Sequence, residues 1–121
     1  MHAELVKLEN NLIVIVNIFI WWNLIIVLAK TIPKDESAKA RIIEFSKDLI
    51  KNSKLEEGNI DYNLFDDTSD DSLMFVEKWE SIEILQKHMQ TKHFLEFGQK
   101  IGDLVSGEMG IEIFNSEKLE F

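Results

Sequence analysis

The chain has 121 residues, enough for one domain, and carries 13 basic against 22 acidic side chains, a formal charge of −9 with histidine neutral. That balance lacks the Lys/Arg footprint through which proteins release counterions from a phosphate backbone, so DNA and RNA are not expected partners. With 45% hydrophobic residues, one proline, five glycines and no cysteine, the chain reads as globular, without disulfides, thiolate nucleophiles or cysteine-ligated metal, in keeping with a reducing compartment.

Residues 12–29 are almost continuously apolar, interrupted by Asn17, Trp21, Trp22 and Asn23. The length approaches the ~20 residues of a membrane span. The density of Ile and Val, the two Asn and the acidic Glu4 and Glu9 upstream instead favour strands over an anchor or a signal peptide. Asn11-Leu12-Ile13-Val14-Ile15-Val16 is echoed by Asn23-Leu24-Ile25-Ile26-Val27-Leu28, and the two segments are read as two strands of one sheet. Pro33 closes the second, and Lys34-Asp35-Glu36-Ser37 leads into a helix over about 37 to 53 whose stripe Ala38, Ile42, Phe45, Leu49 recurs at helical spacing. Gly58 supplies a turn. Residues 60–65 alternate Ile60, Tyr62, Leu64 against Asp61, Asn63, Phe65, the pattern of a strand.

Asp66 to Asp71 is turn chemistry; it narrowly misses a calcium loop, because Asp71 stands where that loop requires glycine. Leu73 to Trp79 then alternates Leu73, Phe75, Glu77, Trp79 against Met74, Val76, Lys78, completing a hairpin. Ser81 caps a helix carrying Ile82, Leu85 and Met89. Thr91 caps another carrying Phe94, Phe97, Ile101 and Leu104, and Gly107 permits a final strand from Met109 to Phe114. The order βαββαβ predicts a ferredoxin-like α+β domain, an antiparallel sheet with helices on one face. Its other face would present Met74 and Val76 to water, so a second copy packed sheet to sheet, a homodimer, is expected.

Glu56-Glu57-Gly58, the strand with Tyr62, Phe75-Val76-Glu77-Lys78-Trp79-Glu80-Ser81, and then Leu85, His88, His93-Phe94 and Phe97 closely resemble the antibiotic biosynthesis monooxygenase family of dimeric α/β barrels. The resemblance covers about residues 24–116 and is sharpest at Trp79-x-Ser81-x-Glu83 with His88 and His93-Phe94. It implies a cytoplasmic homodimer whose relatives oxygenate quinols or polycyclic aromatic compounds without metal, haem or flavin. Molecular oxygen is then the co-substrate, a small aromatic molecule the substrate, and no membrane partner is expected. Residues 1–23 form an extension in which Leu12 to Ile20 is expected as an extra β segment docked on the domain's sheet or its partner's, and 117–121 form a tail.

Within that frame the expected catalytic residues are His88, as general base on the inner side of its helix, and Tyr62, as the group that orients a phenolic substrate. Trp79, Phe75 and Phe94 are expected as aromatic walls. His93 is grouped with the substrate site but read chiefly as tying the two short helices together. Each has a plainer reading, as a buried structural histidine or a core aromatic. His88 and His93 are five residues apart across a helix break with no evident third ligand, so no metal is expected. The haem-degrading branch is rejected because its Trp, His and Asn positions fall on His88, Gly98 and about Lys30. No cofactor is expected. The alternative to an oxygenase is a dimeric barrel that binds a small metabolite or isomerises it.

Overall fold

The computed structural model describes residues 3–7, 13–17 and 23–120. Strands β1 (Ala3–Lys7) and β2 (Ile13–Asn17) pair antiparallel, Ala3 opposite Asn17 and Lys7 opposite Ile13, in a two-stranded sheet of their own. The remaining elements are β3 (Asn23–Thr31), α1 (Glu36–Lys54), β4 (Asn59–Asp66), β5 (Leu73–Trp79), α2 (Ile82–His88), α3 (Lys92–Ile101) and β6 (Gly110–Glu117). Four of them form one sheet in the order β4-β5-β3-β6 with every neighbouring pair antiparallel. This is the ferredoxin-like arrangement, with β3 in the interior.

The two echoing apolar segments are not strands of one sheet, contrary to the sequence reading. Strand β3 has both edges occupied, by β5 and β6, and β2 takes β1 as its partner. Repetition of apolar residues signals a strand; which edge it finds is decided by the whole chain. The remainder of the expected segment, Leu12 and 18–20, lies outside the described residues. Among the described residues no helix is long and apolar enough to cross a membrane.

Alternation does its expected work on β3 and β5. Ile25, Val27, Ala29 and Thr31 are buried, as are Leu73, Phe75, Glu77 and Trp79, because successive side chains point to opposite faces of a strand. On β4 the pattern breaks. Asn59 faces Trp79 and Asp61 faces Lys78, so Ile60 is the extra residue of a β-bulge. Tyr62 therefore turns inward to 2% exposure while Ile60 is left exposed, which corrects the expected shared face of Ile60 and Tyr62.

Helix α1 starts at Asp35, whose Oδ1 accepts the Ala38 N–H at 2.7 Å, and packs Ala38, Ile42 and Leu49 onto the sheet. Ser81 accepts from Ile84 N–H at 3.2 Å and Thr91 from Phe94 N–H at 3.3 Å, the two caps read from sequence. Helix α3 stops at Ile101, earlier than the expected stripe, and Leu104 is buried from the following turn. That turn is tied to the β3–α1 connection by Lys34 N–H to Leu104 O at 2.9 Å and Ser106 N–H to Ile32 O at 2.7 Å. The acidic hairpin tip is closed by its own side chains. Asp67 Oδ1 accepts Ser69 N–H at 2.8 Å, and Asp70 Oδ1 accepts Ser72 N–H at 2.7 Å.

Candidate functional site

Helices α2 and α3 are short and meet at a sharp break, and that break sets the site. The Thr91 hydroxyl donates to the His88 carbonyl at 2.7 Å while accepting from the first turn of α3. One threonine thus closes α2 and opens α3, with His88 and His93 on either side of it. The inner face of α2 carries Leu85 and His88, both 1% exposed.

The His88 ring lies between the Trp79 ring, 4.5 Å away between centroids, and Phe94 at 5.1 Å, with Tyr62 at 5.4 Å. Its Nδ1 is 2.6 Å from Glu56 Oε2, and His93 Nε2 is 2.9 Å from the same oxygen. A carboxylate oxygen only accepts, so both nitrogens carry hydrogen and donate to it. The bond fixes the His88 tautomer: Nδ1–H is held by Glu56, and Nε2 is left with a free lone pair. Among the described residues that buried Nε2 has no hydrogen-bond partner. The nearest carboxylate is Glu77, whose Oε1 lies 4.0 Å away and accepts the Trp79 indole N–H at 2.9 Å.

Beside His88 is a cavity of about 180 Å³. Its floor is Val27, Ala29, Phe75 and Glu77 of the sheet with Tyr62 of β4; its roof is Leu85, His88 and Met89, then Phe94, Phe97, Gly98 and Ile101 of α3. Leu49, Met109 and Ile111 complete the lining. The walls are apolar, and the polar groups on them are Tyr62, Glu77 and His88. Gly98 is exposed, and a Cβ there would meet nothing within 4 Å.

Burial in this apolar setting dominates the electrostatics. It holds His88 below the ordinary imidazole range, against the opposing pull of the Glu56 carboxylate. It pushes Glu77 up to about 7, although the Trp79 and Tyr62 hydrogen bonds act the other way. Tyr62 is raised by desolvation and by the charge of Glu77, so its hydroxyl keeps its proton. The arrangement offers a neutral imidazole as base beside a carboxyl group near its midpoint at neutral pH.

Of the residues singled out in the sequence, His88, Tyr62, Phe75 and Phe94 line the cavity together. Trp79 is 0% exposed and outside that lining; it packs under His88 and holds Glu77. His93 also stands outside the lining and grips Glu56 from α3. Sequence reasoning passed over Glu56 and Glu77. The signal for Glu77 was its place on the inward face of β5 between Phe75 and Trp79, where a charge needs a reason. Glu56 gave no comparable signal. Its carboxylate also alters the metal question: Glu56, His88 and His93 each bring one ligand atom to within 4.8 Å of the others, so a third candidate ligand is present where none was evident.

The family profile described as antibiotic biosynthesis monooxygenase matches residues 24–100. The chain belongs to the antibiotic biosynthesis monooxygenase family. An uncharacterised protein of Synechocystis sp. (strain ATCC 27184 / PCC 6803 / Kazusa) is 36% identical over 90 residues, 74% of this chain and 61% of that protein. The chain therefore spans less than two thirds of that relative. The proposed monooxygenase YcnE of Bacillus subtilis (strain 168) is 28% identical over 87 residues, 71% of this chain and 92% of YcnE. Among solved structures, a conserved protein from Methanosarcina mazei Go1 superposes with a TM-score of 0.77 at 25% identity, covering 82% of this chain and 98% of that one.

Proposed function

We propose that the chain is an oxygenase that works without metal, haem or flavin on a small quinol-like or phenolic molecule, in the cytoplasm and as a homodimer. The observation that carries the reading is His88: Nδ1–H donates to Glu56, and the unpartnered Nε2 belongs to a ring lining an apolar cavity. A phenol bound there loses its proton to Nε2, and Glu56 stabilises the imidazolium that forms. The anion is electron-rich enough to pass an electron to molecular oxygen without a cofactor. For a hydroquinone, one oxygen atom enters the ring and the other leaves as water. The ring supplies all four electrons and ends as a hydroxyquinone. The Tyr62 hydroxyl orients the substrate, Phe75 and Phe94 enclose its ring, and the apolar walls keep water from the reacting carbon.

Size narrows the substrate. An apolar cavity of roughly 150 Å³ accommodates benzene, so 180 Å³ suits one ring with small substituents better than a polycyclic compound. A second reading rests on Glu77. A carboxyl group titrating near 7 and 4.0 Å from His88 Nε2 is placed to return a proton that His88 has removed, which is the chemistry of an isomerase.

Oxygen uptake against a panel of monocyclic hydroquinones, with anaerobic controls, separates the two. The oxygenase reading requires uptake in step with hydroxyquinone formation, falling about 10²- to 10⁴-fold in His88→Gln. Turnover of a substrate without oxygen consumption would leave the isomerase; parental uptake by His88→Gln would remove His88 from the mechanism.

A further inference from the structure

We propose that Glu56 Oε2, His88 Nδ1 and His93 Nε2 form a binding site for one divalent transition-metal ion of the zinc type. The inference stands apart from the oxygenase reading and uses the other side of the His88 ring.

The three atoms come from separate segments, the α1–β4 connection, the end of α2 and the first turn of α3, and all lie within 4.8 Å of one another. Two imidazoles with one carboxylate and an open position form a donor set that binds zinc at about 2.0–2.2 Å. Ligand atoms around such an ion stand roughly 3.3 Å apart. Here Glu56 Oε2 is 2.6 Å from His88 Nδ1 and 2.9 Å from His93 Nε2. To admit the ion, Glu56 Oε2 draws back by about half an ångström from each nitrogen, while the two histidine nitrogens, within 4.8 Å of one another, take up the same spacing. Glu56 and His93 keep 15% and 17% of their side-chain surface exposed, which provides an entry route and room for a water ligand. The charge of −9 favours cation approach.

The far nitrogen of the His88 ring gives an independent reason. A metal-bound histidine donates its other ring N–H to a carboxylate or carbonyl. When His88 donates from Nδ1 to Glu56, its Nε2 is buried without a partner. With a metal on Nδ1 the ring proton moves to Nε2, which faces Glu77 Oε1 at 4.0 Å. A small closure completes a carboxylate–histidine–metal triad. Trp79 already fixes Glu77 through its indole N–H at 2.9 Å and supports the imidazole with its ring. In the metal-bound form Nε2 carries hydrogen and cannot accept a proton from the cavity, so the ion and a base at His88 exclude each other.

Zn²⁺ titrated into the full-length protein by calorimetry tests the site, with Co²⁺ as a spectroscopic substitute. One ion per chain is expected, with the visible absorption of low-coordinate Co²⁺. His93→Gln and Glu56→Gln should each weaken binding more than about tenfold, with circular dichroism confirming their folding. His2→Gln, removing the one other histidine of the three in the chain, should leave affinity unchanged. The proposal is overturned if the folded parent binds neither ion, if binding survives both cluster substitutions, or if it is lost with His2→Gln. No oxygen uptake is read, so failure here leaves the oxygenase reading untouched, and failure of that reading leaves this site standing.

Discussion

Glu77 is the residue where burial and chemistry collide. The residue is 6% exposed and its pKa is pushed up to about 7 from an ordinary 4.5, with desolvation the leading cause. The folded protein therefore holds the proton between about pH 4.5 and 7, while the unfolded chain releases it. Where the folded state binds more protons, stability falls as pH rises. Unfolding free energy should drop by about 3 kcal/mol across that window from this group alone and level off above it. His88 runs opposite: its pKa is lowered, so its contribution is complete above the ordinary imidazole range and declines on acidification. Glu77→Gln keeps an acceptor for the Trp79 N–H and removes the titration. Urea unfolding at pH 5 and pH 8 should show a parent difference that shrinks in Glu77→Gln; an unchanged difference would assign the slope elsewhere. The same burial governs the choice of substitution at His88. Truncation to Ala empties a space between Trp79 and Phe94 and should cost about 2–4 kcal/mol, so the polar His88→Gln is the variant that isolates turnover.

At the scale of elements, the turns hold the site in register. Gly58 has φ +86°, and a Cβ built on it would come within 2.2 Å of Ile84 Cδ1 on α2. Gly107 has φ +79°, and a Cβ there would meet nothing within 4 Å. Both substitutions to Ala incur the left-handed backbone penalty of about 1–2 kcal/mol. At Gly58→Ala the clash is added and pushes α2, with His88, away from Glu56. Thermal unfolding should show Gly58→Ala the less stable by a clear margin, and equal losses would mean Ile84 moves aside freely. The β-bulge at Ile60 acts in the same spirit, since the extra residue sets Tyr62 toward the cavity. A regular strand from Asn59 would have placed Tyr62 on the opposite face.

For the whole molecule, the question is what covers the sheet face away from the helices. Ile26 and Leu28 of β3 and Met74 and Val76 of β5 alternate with the buried set, and Phe65 and Phe114 at the flanks are 54% and 45% exposed. Apolar residues on all four strands form one broad surface, the kind that pairs. We expect a mass near twice 14.1 kDa by light scattering; a monomer at micromolar concentration would refute the dimer. The strands β1 and β2 stand in a separate sheet, and among the described residues the buried hydrophobic core runs from Ile25 to Leu104, with Val105 and Met109 packed against it. A chain lacking residues 1–22 should therefore fold, with a cooperative thermal transition. Its failure to fold would show that the N-terminal strands complete the domain.

The sequence by itself determined the elements from β2 onward and their order; β1 was not among those expected. Alternation on β3 and β5, the 3–4 stripe of α1, and the caps Ser81 and Thr91 are local signals, each written within a few residues of the structure it causes. They also sufficed to put His88, Phe75 and Phe94 on inward faces, whereas Tyr62 reaches its inward face through the bulge at Ile60, which alternation does not foretell. What only the tertiary structure decided is who meets whom. Glu56 and His88 are separated by 32 positions, and no periodicity links a turn residue to a helix end. Their meeting depends on the break between α2 and α3 and on the turn at Gly58. Trp79 changed from an expected wall to a support for the same reason, because the alternation that buries it does not say which neighbour it will face. The partner of β2 likewise lies beyond the segment: both edges of β3 are taken, by β5 and β6, and β2 pairs with β1, a choice that no single segment carries.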